Sequence, residues 1–253
     1  MSNNNSIIAI VLARGGSKGL PGKNTRSIAG KPCVQWTLEH AHNSDEIASV
    51  VLSTDDEHAK DIARSLGVAV HDRPTDLATD TARVDDALRD AAISIEERMG
   101  NTPLGYAMLY GNVPVRPADL TDRAVRMLRD TGCDAVQSYL PVGKHHPWWT
   151  ARLDDDAGRV LPWQGDVLNH GVYRRQDLPP AYVPDGGVCV VSRRALFAAC
   201  DGPHDFLGAD RRGIVSGDDA RAVIDIDDAV DLAVAEAVLS TQAETRRALR
   251  SAS

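Results

Sequence analysis

Two rhythms of apolar residues take turns along most of this chain. Residues 7–12 (Ile-Ile-Ala-Ile-Val-Leu) are an unbroken apolar run of strand length, as expected for a strand covered on both faces. Short runs at 49–53 and 68–70 repeat the signal. Between them Ala59, Ile62, Ala63 and Leu66 recur at helical spacing, with Thr54 or Asp55 as cap and Gly67 as stop. Pro32 suits the first turn of a helix over 32–42. A polar loop over 72–81 leads to a further helical stretch marked by Val84, Leu88, Ala91 and Ile95. A strand over 104–110, a helix over 121–130 closed by Gly132 and a strand over 135–140 continue the series. This alternation predicts an α/β fold, a doubly wound and mostly parallel sheet with ligands at the carboxyl ends of its strands.

Residues 141–184 break the rhythm with prolines, tryptophans and irregular runs, and are expected to form an arm, a lid or a dimer contact inserted into a single domain over 1–253. Alternation returns with a strand over 187–192, a helix over 193–199 and a last strand over 222–226. The closing helix has Asp228 as cap and Val230, Ala233, Val234, Ala237 and Val238 at core spacing.

Composition narrows the partners. The chain has 253 residues and a formal net charge of −8, which disfavours a reader of nucleic-acid backbones but leaves room for a local cationic pocket. The 4 cysteines (Cys33, Cys133, Cys189, Cys200) are scattered without a C-x-x-C pair, as expected of reduced thiols rather than a disulfide framework or zinc site. The polar start is not a signal peptide, and no apolar run approaches the roughly 18 residues of a membrane span, so the expected compartment is the cytoplasm.

The densest chemistry follows the first strand, in Ala13-Arg14-Gly15-Gly16-Ser17-Lys18-Gly19-Leu20-Pro21-Gly22-Lys23-Asn24. Its glycines let backbone N–H groups approach a ligand closely, and Arg14, Lys18 and Lys23 add cations. Bare amides and cations at a strand end suit a triphosphate. Arg14 and Lys23 would hold its β- and γ-phosphates, while Asn24 would orient ribose or phosphate. The P-loop pattern fails because Ser17 and Asn24 stand where Gly and Ser/Thr belong. A G-x-S-x-G nucleophile elbow must enter a helix at once, which Leu20-Pro21-Gly22 prevents. A glycine-rich surface turn is the plain alternative. Far downstream, Asp225-Ile226-Asp227 places two carboxylates at strand positions i and i+2, facing one site, where they would bind Mg²⁺ with help from phosphate oxygens. Capping of the last helix is the competing role for Asp227 and Asp228.

The loop closely resembles the signature of the cytidylyltransferases that activate sialic acids and related 3-deoxy-2-ulosonic acids. Ser53-Thr54-Asp55-Asp56, Arg73-Pro74, Tyr173-Arg174-Arg175-Gln176 and the terminal Asp-Ile-Asp extend the likeness over most of the chain. The resemblance implies a Rossmann-like nucleotidyltransferase sheet, CTP as the nucleotide, a sugar acid as acceptor, Mg²⁺ as cofactor, and a homodimer whose arm reaches the neighbouring subunit. It assigns nucleotide binding to Ala13, Arg14, Gly15, Gly16, Ser17, Lys23 and Asn24, and base or ribose contacts to Arg73, Thr79 and Thr81. The metal would sit on Asp225 and Asp227, with Arg14, Lys23 and Asp227 the residues closest to catalysis. Arg174, Arg175 and Gln176 would contact the sugar; an arginine fork matches its carboxylate. Thr79 to Thr81 would equally serve as an ordinary helix start. His145-His146-Pro147-Trp148-Trp149 is expected to pack rather than to bind ligand.

The chain departs from the family at two places. Asp185 stands where the family usually has Asn. Leu109-Tyr110-Gly111-Asn112-Val113-Pro114-Val115-Arg116 replaces Leu-Gln-Pro-Thr-Ser-Pro-Leu-Arg, so Tyr110 and Asn112 alter the polar inventory of the sugar pocket and argue for a variant acceptor or nucleotide. A sugar nucleotidyltransferase using another nucleotide or sugar, a metal-dependent glycosyltransferase consuming a nucleotide sugar, and a non-catalytic binding protein remain as alternatives.

Overall fold

The structure, a computed structural model, describes residues 5–16, 19–154, 158–199, 202–217 and 222–251. In chain order the strands are β1 (Ile7–Leu12), β2 (Ser27–Ile28), β3 (Lys31–Pro32), β4 (Ser49–Thr54), β5 (Ala69–Asp72), β6 (Gly105–Tyr110), β7 (Ala135–Pro141), β8 (Ala151–Leu153), β9 (Val160–Pro162), β10 (Tyr182–Ser192) and β11 (Arg211–Val215). The helices are α1 (Cys33–His42), α2 (Glu57–Ser65), α3 (Val84–Met99), α4 (Leu120–Thr131), α5 (Arg193–Leu196) and α6 (Ala229–Ser251).

Seven strands form one sheet in the order β11-β7-β10-β6-β1-β4-β5. β1 pairs in parallel with β4 and β6, β4 with β5, and β7 with β11; β10 alone runs antiparallel, between β6 and β7. Period-two alternation along β1 splits the core. Ile7, Ala9 and Val11 face α1, α2 and α4, while Ile8, Ile10 and Leu12 face α3 and α5. The chain leaves β1 for β4 and β5 on one side and returns to β6 on the other. That divergence opens a crevice at the carboxyl ends of β1 and β6, where open α/β sheets bind ligands.

A third, smaller cluster brings distant segments together. Ile224 and Ile226 bury against Leu20 and Ile28 near the glycine loop, and against Ala235 and Leu239 of α6. Between and after these isoleucines, Asp225 is half-buried beside Asn112 and Asp227 is exposed beside Lys23.

Several expectations need correction. Residues 222–226 form no strand; a single bridge joins Val115 to Ile224. The last strand of the sheet is β11, where only Ile214 is buried. β10 starts at Tyr182, pairing Tyr182–Pro184 with Pro141–Tyr139 before a bulge, so it reaches into the expected arm. α5 spans four residues rather than the seven of 193–199. The inward face of α6 carries Ala235 and Leu239, with Val234 and Val238 packed beside them as expected, whereas Ala233, Ala237 and Val230, the last 68% exposed, face outward. Asp56, not Thr54 or Asp55, caps α2, accepting from the backbones of His58 and Ala59. The arm holds short 3₁₀ turns and the β8–β9 hairpin, with Trp148 stacked on His170 at 4.7 Å, a packing role as expected.

One ionic clamp ties α3 to β6 and α5. Glu96 accepts from Arg193 Nε (2.7 Å) and Nη2 (2.9 Å) and from the Tyr106 hydroxyl (2.6 Å). Burial pushes its carboxyl up, but the Arg193 and Tyr106 donors outweigh burial and hold it below the usual glutamate range. A lowered acid pKa contributes stability that is full above the ordinary value of 4.5 and is lost as pH falls through the lowered one. Glu96→Gln should therefore melt below the native protein at pH 7, and the two melting temperatures should converge on acidification.

Candidate active site

The start of the loop after β1 is tied to the end of β4 and the turn that follows it. The Ala13 carbonyl accepts from Thr54 Oγ1, and Gly15 N–H donates to Asp55 Oδ1 at 2.8 Å. These two bonds explain why Thr54 and Asp55 do not cap α2. Asn24 is buried; its Nδ2 donates to the Arg14 carbonyl at 2.8 Å, whereas its Oδ1 has no hydrogen-bond partner. Gly111 lets β6 pass close to this loop, since a Cβ there would stand 2.7 Å from the Ala13 Cβ and 3.1 Å from Asn24 Oδ1. Around Gly16 there is open space within 4 Å. Ser17 and Lys18 lie outside the described residues.

Beside the loop is a cleft of about 230 Å³ lined by Arg14, Lys23, Asn24, Arg73, Thr79, Tyr110 and Asn112, among others. Seven predicted site residues thus share one cavity. Thr81 does not line it, although its hydroxyl lies 3.5 Å from that of Thr79. Arg73 is buried, with Nε and Nη2 donating to Ser53 Oγ (3.2 Å) and Ser53 O (2.9 Å). Burial pulls its pKa down to about 10, so it remains a cation. Arg14 Nη1 pairs with Asp80 Oδ1 at 2.7 Å. Neither Asp80 nor Arg83, which also line the cleft, stands out in sequence.

The acidic pair meets the loop from the other side. Lys23 Nζ lies 2.8 Å from the Ile226 carbonyl and 2.9 Å from Asp227 Oδ1. A Cβ on Gly19 would be 2.7 Å from the Asp227 carbonyl oxygen, so the loop and the Asp-Ile-Asp segment touch. Asn112 Nδ2 donates to Asp225 Oδ1 and to the Ile226 carbonyl (3.2 Å), and Ile226 N–H donates back to the Asn112 carbonyl at 2.9 Å. Asn112 therefore orients an aspartate. Arg116 Nη1 donates to Thr37 Oγ1 (3.2 Å), and Thr37 Oγ1 donates to the carbonyls of Tyr110 and Val113, which fixes the turn carrying Asn112. Poor solvation raises the Asp225 carboxyl to about 6, with Asp227 as the next cause and Lys23 opposing.

Half-buried Asp225 and exposed Asp227 are hard-oxygen donors of the kind that Mg²⁺ takes, completing its shell with waters and phosphate oxygens. Among the described residues no group of three or more His, Cys, Asp or Glu gathers as a protein-only metal cage would require. Asp228 Oδ1 accepts from the backbones of Val230 and Asp231, so the capping role falls to Asp228.

The arm residues sit elsewhere. Arg174 is exposed and paired with Asp177 at 2.8 Å, and Arg174, Arg175 and Gln176 are absent from the lining of this subunit's cleft. Asp185 turns into the sheet, accepting from Ser138 Oγ, from Gly187 N–H (2.8 Å) and from Ser216 Oγ (2.5 Å).

A family model described as cytidylyltransferase matches residues 8–153. This chain belongs to the cytidylyltransferase family. Among its relatives, the N-acylneuraminate cytidylyltransferase of Streptococcus agalactiae serotype III (strain NEM316) is 32% identical over 192 residues, 75% of this chain and 44% of that protein. The chain thus spans under half the length of that relative. The CMP-N,N'-diacetyllegionaminic acid synthase of Legionella pneumophila subsp. pneumophila (strain Philadelphia 1) is 28% identical over 94% of this chain and 98% of that protein. A solved CMP:2-keto-3-deoxy-manno-octonic acid synthetase in complex with CTP shares the fold, with TM-score 0.67 at 17% identity over 94% of this chain and 99% of that one. No helix among the described residues is long and apolar enough to cross a membrane.

Proposed function

We propose that this chain transfers a cytidylyl group from CTP to the anomeric hydroxyl of a sialic-acid-like 3-deoxy-2-ulosonic acid. The observation that supports this reading is the ion pair between Lys23, which lines the cleft, and Asp227, which sets an aspartate beside the glycine loop. The names of the family and of its relatives support the nucleotide and the acceptor class.

In the reaction the anomeric oxygen bonds to the α-phosphorus, the bond to the β,γ-pyrophosphate breaks, and pyrophosphate and a CMP-sugar form. The hydroxyl proton passes to solvent. Such a step depends on alignment and charge neutralisation rather than on a protein nucleophile. Arg14 and Lys23 would exchange Asp80 and Asp227 for the β- and γ-phosphates. Asn24 Oδ1, a buried acceptor without a donor, suits a ribose hydroxyl better than a phosphate oxygen. Asp225 and Asp227 would hold Mg²⁺, which when bound neutralises charge on the phosphates and leaving group.

The reading includes a homodimer in the cytoplasm. Trp163, Val167 and Tyr173 of the arm are exposed, Tyr173 at 88%, and a second copy would bury them while bringing Arg174, Arg175 and Gln176 to its neighbour's cleft. Sedimentation should give twice the chain mass. Arg175→Ala should raise KM for the acid more than KM for CTP.

Pyrophosphate release measured with CTP, GTP, UTP and ATP against a panel of sugar acids tests the reading. Release should require CTP and a ulosonic acid. Release of a nucleoside mono- or diphosphate from a nucleotide sugar would favour a glycosyltransferase instead.

A further inference from the structure

The bulge in β10 touches the active site. Pairing with β7 passes from Pro184 opposite Tyr139 to Cys189 opposite Gln137, so Asp185 to Val188 stand against Ser138 alone. Bulges of this kind re-aim the backbone beside a site. Here the surplus chain brings Gly186 to Asp225: a Cβ on Gly186 would stand 3.6 Å from Asp225 Oδ2 and 3.7 Å from the Tyr110 ring. Gly186 has φ +72°, a conformation that suits glycine. Asn112 holds Asp225 by Oδ1, so the bulge borders the other oxygen of the same carboxylate. Gly187 is pressed into the sheet, since a Cβ there would lie 2.8 Å from Leu120 and 3.0 Å from both Ser138 Oγ and Val223.

One side chain closes this bulge. Asp185 Oδ1 accepts from Ser138 Oγ and from Gly187 N–H at 2.8 Å, and Oδ2 accepts from Ser216 Oγ at 2.5 Å. Ser138 Oγ accepts in turn from Val188 N–H at 2.9 Å, at the far end of the bulge. Ser138 and Ser216 are both buried. The carboxylate thus ties the first residue of the bulge to its third, to the opposing strand β7 and to the chain just past β11. An ionised carboxylate only accepts, and all three of its partners donate. Asp185 is absent from the lining of the nucleotide cleft, so its influence on the site passes through the backbone of Gly186.

We propose that Asp185 is a positioning residue for cytidylyl transfer, whose carboxylate closes the β10 bulge on Ser138, Gly187 and Ser216 and so sets Gly186 against Asp225. The inference rests on the cytidylyl-transfer reading and adds a residue to it. Asparagine, which the resembling enzymes carry at this position, can make the same three bonds: its carbonyl accepts from Ser138 and Gly187, and its NH₂ donates to Ser216 once that hydroxyl turns. Leucine makes none of them and leaves three buried donors without an acceptor. The wall beside Asp225 then loses its tether, and the aspartate loses its fixed direction.

The test compares Asp185→Leu, Asp185→Asn and Ser216→Ala with the native protein, each within the temperature range where its melting curve shows it folded. In pyrophosphate release Asp185→Leu should lower kcat by about 10- to 100-fold, the usual cost of losing a group that orients a metal ligand, with KM for CTP unchanged. Asp185→Asn should restore native kcat. Water-proton relaxation by Mn²⁺ with CTP gives a readout independent of turnover: Asp185→Leu should bind the ion about 10-fold more weakly, and Asp185→Asn as the native protein does. Ser216→Ala removes one donor and should shift kcat and Mn²⁺ binding in the same direction by less; it carries the test if Asp185→Leu does not fold. Native kcat and native Mn²⁺ binding in folded Asp185→Leu, or in Ser216→Ala, would overturn the inference and leave cytidylyl transfer standing. So would an asparagine variant as impaired as the leucine one. Absence of pyrophosphate from the native protein with every nucleotide and acid would overturn the transfer reading itself.

Discussion

Asp225→Asn should lower kcat by about 10²- to 10³-fold, the range seen when one group preorganised for transition-state charge is removed, while raising the melting temperature at pH 7. The two effects have one origin. Asp225 sits where solvation is poor and Asp227 is close, which raises its carboxyl to about 6. A raised acid pKa means that the folded state disfavours the ionised form, so this group's stability contribution is present below the ordinary 3.8 and declines as pH rises to about 6. Asparagine keeps the shape, carries no charge and escapes that penalty. It also gives up the negative charge that a divalent cation requires. Kinetics as a function of Mg²⁺ concentration, with thermal melts on the same samples, measure both sides. Turnover within threefold of the native rate would remove Asp225 from the metal site.

Arg14→Ala should cost a further large effect, about 10²- to 10³-fold in kcat/KM for CTP, by the same preorganisation argument applied to a guanidinium on the phosphates. Arg14 carries out no bond making; its part is to present a cation where the β- and γ-phosphates arrive. Its pairing with Asp80 at 2.7 Å holds the guanidinium at the cleft and also competes with the nucleotide. Asp80→Asn should therefore move in the opposite direction, tightening CTP by about twofold to fivefold, the scale of a partly exposed ion pair. Equilibrium binding of CTP to the two variants and the native protein distinguishes this exchange from a general loss of folding. If Arg14→Ala binds and turns over CTP as the native protein does, the loop after β1 is not the phosphate site.

Much of this site was legible in the sequence because the loop is contiguous. Arg14, Lys23 and Asn24 follow a buried strand, so their position at the mouth of the sheet comes from the β1 run alone. Asp225 and Asp227 were readable as a pair from i, i+2 spacing. The strand that this spacing assumes is absent: Ile224 and Ile226 instead anchor the segment in a small core. β11 was missed because an edge strand that buries only Ile214 carries no apolar run. The buried face of α6 was only partly readable, with Val234 and Val238 inward, because its apolar stripe is wider than the surface it covers and leaves Val230 outside. The roles of Asn112 and Asp80 depend on contacts with residues 113 and 66 positions away, which no local pattern encodes.

The proposed function requires the loop after β1 and the aspartates beside it to join cytidine monophosphate to a sugar acid. ³¹P NMR of the protein incubated with CTP, Mg²⁺ and an N-acylated nonulosonic acid tests it most directly. The account predicts that the three CTP resonances are replaced by inorganic pyrophosphate and a single phosphodiester signal, and that both products disappear in Asp225→Asn over the same interval. Intact CTP after prolonged incubation with every acid tried, or its conversion to CDP and phosphate, would contradict it.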